Sequence, residues 1–200
     1  MTPSRQEAPS TLHKLQSLIA QPPTPVLVMI FVLAVAWVAL TRVPASSAPA
    51  SAAPPSPRRG FAAPDFTLET LDGSQLTLSE LRGSPVMLTL WASWCLPCRV
   101  EMPAIERVYQ RHREDGLVVI GLNVTSQDSE AAARAFVQEF GLSFPIAIDR
   151  DGAASARYEL MGLPSTYFID RHGIIREVII GGPMSEAVML SHIQDLLQEP

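Results

Sequence analysis

The chain holds two cysteines in 200 residues, Cys95 and Cys98, separated by two positions. A thiolate attacks a disulfide to give a mixed disulfide, which a second thiol close by resolves. A C-x-x-C pair at a helix start meets both needs. Just before the first turn, Cys95 lies where unpaired N–H groups and the helix dipole lower a thiol pKa, and Cys98, one turn on, faces inward. Pro97 falls in that first turn, where its missing N–H costs little. One such pair makes no disulfide framework for a small scaffold, so these thiols read as reactive rather than structural. The spacing also occurs in metal sites, but zinc takes about four ligands, and His13, His112, His172 and His192 show no ligand spacing around the pair. The expectation is no metal and no organic cofactor. Trp94, next to Cys95, is placed either to cap the core or to shield the thiols and touch substrate.

An attacking pair needs a rigid base. Pro85 precedes Val86-Met87-Leu88-Thr89-Leu90-Trp91, an apolar run of strand length that reads as a buried central strand. After the cysteines, Cys98, Met102, Ile105 and Tyr109 recur at the spacing of one helix face, out to about Arg113, with Pro103 expected to kink that helix. Leu117–Leu122 is a second buried strand. Ala133, Phe136, Val137 and Phe140 stripe a helix that Gly141 ends. Strand, helix, strand, helix implies parallel pairing. Thr166–Ile169 and Ile174–Ile180, joined at Asp170–Gly173, read as an antiparallel hairpin, followed by a terminal helix over about 185–197. Ahead of all these, short alternating runs on either side of Asp72-Gly73 read as a small hairpin. The fold class is α/β, with a central mixed sheet flanked by helices, an N-terminal β-hairpin extension and an N-terminal membrane segment.

The first sixty residues differ from the rest. They carry five Lys or Arg against one acid, whereas residues 61–200 carry ten Arg against nineteen acids. An acidic domain makes nucleic acid an unsuitable partner. Val26–Leu40 is fifteen uninterrupted apolar residues, roughly 22 Å as a helix. The reading is a cytoplasmic segment at 1–25, an anchor or signal-anchor helix at 26–42, a linker at 43–60 and a folded domain at 61–200. A cleaved signal is the alternative, because Ala50-Ser51-Ala52 resembles a small-residue cleavage site. Every residue from Ala45 to Pro57 is Ala, Ser or Pro, which favours an extended tether of roughly 40 Å.

The stretch Trp94-Cys95-Leu96-Pro97-Cys98-Arg99-Val100-Glu101-Met102-Pro103 resembles the TlpA/ResA-like branch of the thioredoxin superfamily. So does Gly162-Leu163-Pro164-Ser165-Thr166-Tyr167-Phe168-Ile169-Asp170, and the resemblance covers about residues 61–198. It implies a thioredoxin-like fold, a cis Pro164 opposite the thiols and a Leu163 backbone that pairs with bound peptide. It also implies a bacterial inner-membrane protein with its catalytic domain in the periplasm. The clients implied are proteins with a disulfide or cysteine pair, in cytochrome c maturation or copper-centre assembly, with electrons from a membrane dithiol donor of the DsbD/CcdA type. Pro97 directly before Cys98 is similar to thioredoxin and favours reduction over oxidation.

The chain also departs from the pattern. Thr89 stands where thioredoxin carries a buried acid, and Ser126 where some ResA-like proteins place one. Glu101 reads as a solvated first-turn glutamate that suits the helix dipole, which leaves water to take the Cys98 proton. Two rivals remain at this level. A thiol peroxidase of the peroxiredoxin type needs Thr or Ser three residues before its cysteine, and Ala92 stands there. A copper- or peptide-binding module is the other, although copper chaperones of this fold use C-x-x-x-C with a distal His.

Overall fold

The computed structural model describes residues 24–41 and 54–198. The chain divides into two units, Met1–Ser47 and Ala48–Pro200. In the first, helix α1 runs Thr24–Thr41 and exposes Val28, Met29, Ile30, Phe31 and Leu33. Among the described residues no helix is long and apolar enough to cross a membrane. The expected segment at 1–25 and the linker at 43–60 lie largely outside the described residues, and Ala50-Ser51-Ala52 lies wholly outside them.

The second unit is built on a five-stranded mixed sheet of order β5-β4-β3-β6-β7. Its strands are β3 (Val86–Trp91), β4 (Val118–Asn123), β5 (Ile146–Ile148), β6 (Ser165–Ile169) and β7 (Ile175–Ile180). Every residue of β3 is buried, which is why its sequence is a near-continuous apolar run. It pairs in parallel with β4, Trp91 opposite Asn123, and antiparallel with β6, Thr89 opposite Thr166. A short separate pair, β1 (Thr67–Glu69) and β2 (Gln75–Thr77), runs antiparallel.

Side chains of β3 alternate between two cores, as the period of a strand requires. Met87 and Trp91 face α2 (Leu96–His112), α3 (Glu130–Phe140) and α5 (Glu186–Gln198), which contribute Met102, Ile105, Phe136, Met189 and Ile193. Val86, Leu88 and Leu90 face Phe66, Leu78 and Tyr158, the last at the end of the short helix α4 (Ala153–Arg157). The Tyr158 hydroxyl donates to Pro64 O at 2.9 Å and ties the incoming chain to this second core.

Three local features carry the site. Helix α2 runs as one element through Pro103. Ser129 caps α3, its hydroxyl accepting from Ala132 N at 3.2 Å, and Gly141 ends that helix at φ 62°. Strand β5 and helix α4 have no counterpart in the sequence reading. Three and five residues are too short to show a period.

Candidate active site

Strand β3 delivers the chain to the site from its C-terminal end. After Trp91 the backbone turns, with Cys95 N donating to Ala92 O at 3.2 Å, and α2 begins at Leu96. Cys95 is the N-cap residue in an extended conformation, and its sulfur accepts from Cys98 N at 3.3 Å. The sulfur therefore does the work of a capping hydroxyl, at the point where free N–H groups favour negative charge. Pro97 lies in the first turn. Cys95 and Cys98 are joined as a disulfide with their Cα atoms 5.2 Å apart. Cys98 is fully buried and Cys95 is 4% exposed, so Cys95 is the residue of the pair that retains any solvent contact.

Trp94 is 57% exposed and its indole N–H donates to Gln127 O at 2.8 Å. It sits at the surface and does not cap the core. Leu96 and Val100, also exposed, leave an apolar rim on the open face of α2. The Leu163–Pro164 peptide is cis, as is Gly182–Pro183. Pro164 is buried, Leu163 is half-buried between the two cores, and Pro164 O accepts from Gly181 N at 2.7 Å.

Glu101 departs from the sequence reading. It is 1% exposed, not solvated. Position 101 is three residues beyond Cys98 and four before Ile105, so it shares their inward face, and that spacing was the available signal. One carboxylate oxygen accepts from Met184 N at 3.0 Å, and the other has no partner among the described residues. Burial pushes its pKa up, against partial offsets from Met184 N and the nearby Thr166 hydroxyl. That hydroxyl donates to Thr89 Oγ1 at 3.1 Å and approaches Glu101 without reaching hydrogen-bond geometry. A Cβ on Gly182 would come within 2.7 Å of the Glu101 carboxylate and 2.9 Å of Pro164. Gly182 thus lets the carboxylate and the cis-proline turn close on one another. Thr89 and Ser126 offer no acid, and the buried acid of this region stands instead on α2, three residues beyond Cys98.

Asp128 is a residue that the sequence reading did not single out. Its carboxylate accepts from Ser93 N (2.6 Å), Ser93 Oγ (2.7 Å), Asn123 Nδ2 (2.9 Å) and Ser129 N (2.8 Å). Burial alone would raise its pKa, but the hydrogen bonds from Asn123, Ser93 and Ser129 outweigh that and hold it below the usual carboxylate range. The bonds arise from tertiary approach of two loops, which no local pattern announces.

A dithiol pair at a helix start, a cis proline and a mixed sheet in this strand order define the thioredoxin-like class. Residues 60–178 match the AhpC/TSA family model, and the chain belongs to that family. It is 43% identical over 125 residues to the thioredoxin-like protein YneN of Bacillus subtilis, covering 62% of this chain and 72% of that one. It is 36% identical over 129 residues to the thiol-disulfide oxidoreductase ResA of Geobacillus kaustophilus, covering 64% and 73%. Among solved structures it resembles a putative thiol:disulfide interchange protein DsbE from Chlorobium tepidum (30% identity, TM-score 0.63, 68% and 95% covered). A putative protein disulfide isomerase from Bacteroides thetaiotaomicron is similar too (34%, TM-score 0.65, 71% and 91%). The chain is a thiol–disulfide oxidoreductase with Cys95 and Cys98 as its pair.

Proposed function

We propose that the protein is a membrane-anchored reductase of client disulfides. In the reduced form the Cys95 thiolate attacks one sulfur of a client disulfide, forms a mixed disulfide and expels the other client sulfur as a thiolate. Cys98 then loses its proton and attacks Cys95, releasing the second client sulfur. Two electrons have passed to the client and a Cys95–Cys98 bond remains for a dithiol donor to reduce. The observation that carries this reading is the disulfide itself, at the N-terminus of α2, with Cys95 4% exposed and Cys98 fully buried. Glu101 takes the Cys98 proton: it is buried three residues beyond that thiol on the same helix, and burial pushes its pKa up, which makes its carboxylate a better proton acceptor than an exposed glutamate.

Trp94 and the Leu163–Pro164 turn are the surfaces against which the client peptide lies, the Leu163 backbone pairing with it. Helix α1 alone falls short of a crossing, so its exposed apolar side chains support an anchor only together with the sequence that flanks it, and the resemblance to the TlpA/ResA-like branch supports a bacterial inner membrane with the catalytic unit in the periplasm. There the donor is a membrane dithiol protein of the DsbD/CcdA type, and the clients are proteins whose cysteines receive haem or copper. Similarity to ResA proteins and Pro97 before Cys98 support this assignment.

The test is the reduction potential of the Cys95/Cys98 couple, read by equilibrating the chain against dithiol buffers and counting free thiols. A value near or below about −270 mV supports a reductase, and one nearer −120 mV makes the protein an oxidant. Cys95→Ser retaining reductase activity would refute the mechanism.

A further inference from the structure

We propose that Asp128 is a positioning residue for Cys95, pinning the turn between Trp91 and Cys95 to the loop that follows β4. This rests on Cys95 being the attacking thiol. The clamp is rooted in the sheet: Asn123, fully buried and opposite Trp91 in the β3–β4 register, donates to Asp128, and Thr125 Oγ1 holds the Asn123 side-chain oxygen at 2.8 Å. From there Asp128 grips Ser93 at two points, its N–H and its hydroxyl. Ser93 lies two residues before Cys95, inside the turn that Cys95 N closes on Ala92 O. The neighbouring Trp94 indole is tied to Gln127 O in the same loop. Both central residues of the turn preceding the reactive sulfur, Ser93 and Trp94, are thereby fixed to one carboxylate-centred loop.

The chemistry demands a carboxylate. Four donors converge on its two oxygens, and an amide of the same shape offers one acceptor oxygen and an NH2 that faces donors. Replacing Asp128 by Asn therefore releases the turn with almost no change in volume. A looser turn weakens the alignment of the Cys95 sulfur with the free N–H groups of α2, and the thiolate forms less readily. Arg99, paired with Glu139, and Glu101 are the other charged groups on the first turns of α2, and neither is altered by this substitution.

The experiment measures the pH dependence of iodoacetamide alkylation of Cys95 in the full-length chain, in a Cys98→Ala background that leaves one thiol. Asp128→Asn is compared with Ser93→Ala, a milder change that removes the hydroxyl bond but keeps both the Ser93 N–H bond and the Asp128 charge. The expected result is a midpoint moved upward in both, further in Asp128→Asn, with alkylation at pH 7 slowed about three- to tenfold in the latter. A lowered melting temperature with unmoved midpoints would reduce Asp128 to a structural residue and overturn the proposal. So would a midpoint that falls in Asp128→Asn and stays fixed in Ser93→Ala, which is the signature of a bare charge. The alkylation midpoint is read without any client. Failure of the wild-type chain to reduce a model disulfide would therefore strike the reductase reading alone.

Discussion

Glu101 accepts a hydrogen bond from Met184 N at 3.0 Å through one carboxylate oxygen and leaves the other unpartnered in a buried site. A carboxylate half satisfied in this way favours its protonated form, because burying the charge costs more than burying the acid.

The pH dependence of stability follows. In the unfolded chain Glu101 titrates near its ordinary value of 4.5, and in the folded chain it titrates higher. Its contribution is fully present below that ordinary value and is lost as pH rises through the folded one. Glu101→Gln does not titrate and keeps an acceptor for Met184 N. The stability of the wild-type oxidised chain relative to Glu101→Gln should therefore fall as pH rises from 4 to 8, the sign that a raised folded-state pKa dictates. Urea unfolding of both chains at the two pH values measures it, and a difference that does not change with pH would contradict the assignment.

What the sequence made legible was whatever repeats or runs. The buried strand at Val86–Trp91 and the helix stripe through Met102 and Ile105 could be read because core burial imposes a period on residue type. Cys95 and Cys98 could be read because their spacing is itself the chemistry. Glu101 was misread by its polarity, although it lies on the same face as Cys98 and Ile105. Asp128 stayed hidden because its partners Ser93 and Asn123 lie 35 and 5 residues away and meet it only through the fold. Gly182 stayed hidden for the same reason, its lack of a side chain mattering only once Glu101 and Pro164 close in from two other elements.

Gly121 in β4 tests how tightly the first core is packed behind the site. A Cβ there would fall 2.7 Å from Ile146 Cδ1, 3.0 Å from Phe144 Cε2 and 3.1 Å from Trp91 Nε1. The ends of three side chains must shift together, so Gly121→Ala should destabilise the chain by about 1–3 kcal/mol, the usual cost of overpacking. Chemical denaturation gives the value, and a stability equal to wild type would show that these side-chain ends repack without cost.

Ser129 caps the helix whose Phe136 packs at a tilt against Trp91, ring centroids 4.6 Å apart. Ser129→Ala strips one partner from the first turn of α3 and should cost about 1 kcal/mol. Asp128 accepts from Ser129 through its backbone N–H, which the substitution keeps, so the clamp on Ser93 survives. Stability should therefore drop while the pH midpoint for Cys95 alkylation holds, and a shifted midpoint would show that cap and clamp are one unit.

The asymmetry of the two sulfurs predicts which intermediate can be held. Cys98 is fully buried beside its own helix, whereas Cys95 retains slight exposure at the helix start, so an incoming disulfide meets Cys95 first. With Cys98→Ser the attack proceeds, but no thiol remains to resolve the mixed disulfide, and the client stays covalently attached. With Cys95→Ser the remaining thiol lies behind the first turn and captures nothing. Incubating each reduced variant with a disulfide-bonded model protein and running non-reducing gels should give a reductant-sensitive adduct with Cys98→Ser alone. Model-disulfide reductase turnover should fall by at least about a thousandfold in both variants, since neither completes the cycle. An adduct formed by Cys95→Ser and not by Cys98→Ser would reverse the roles of the pair. It would require α2 to open at its first turn before any client could react.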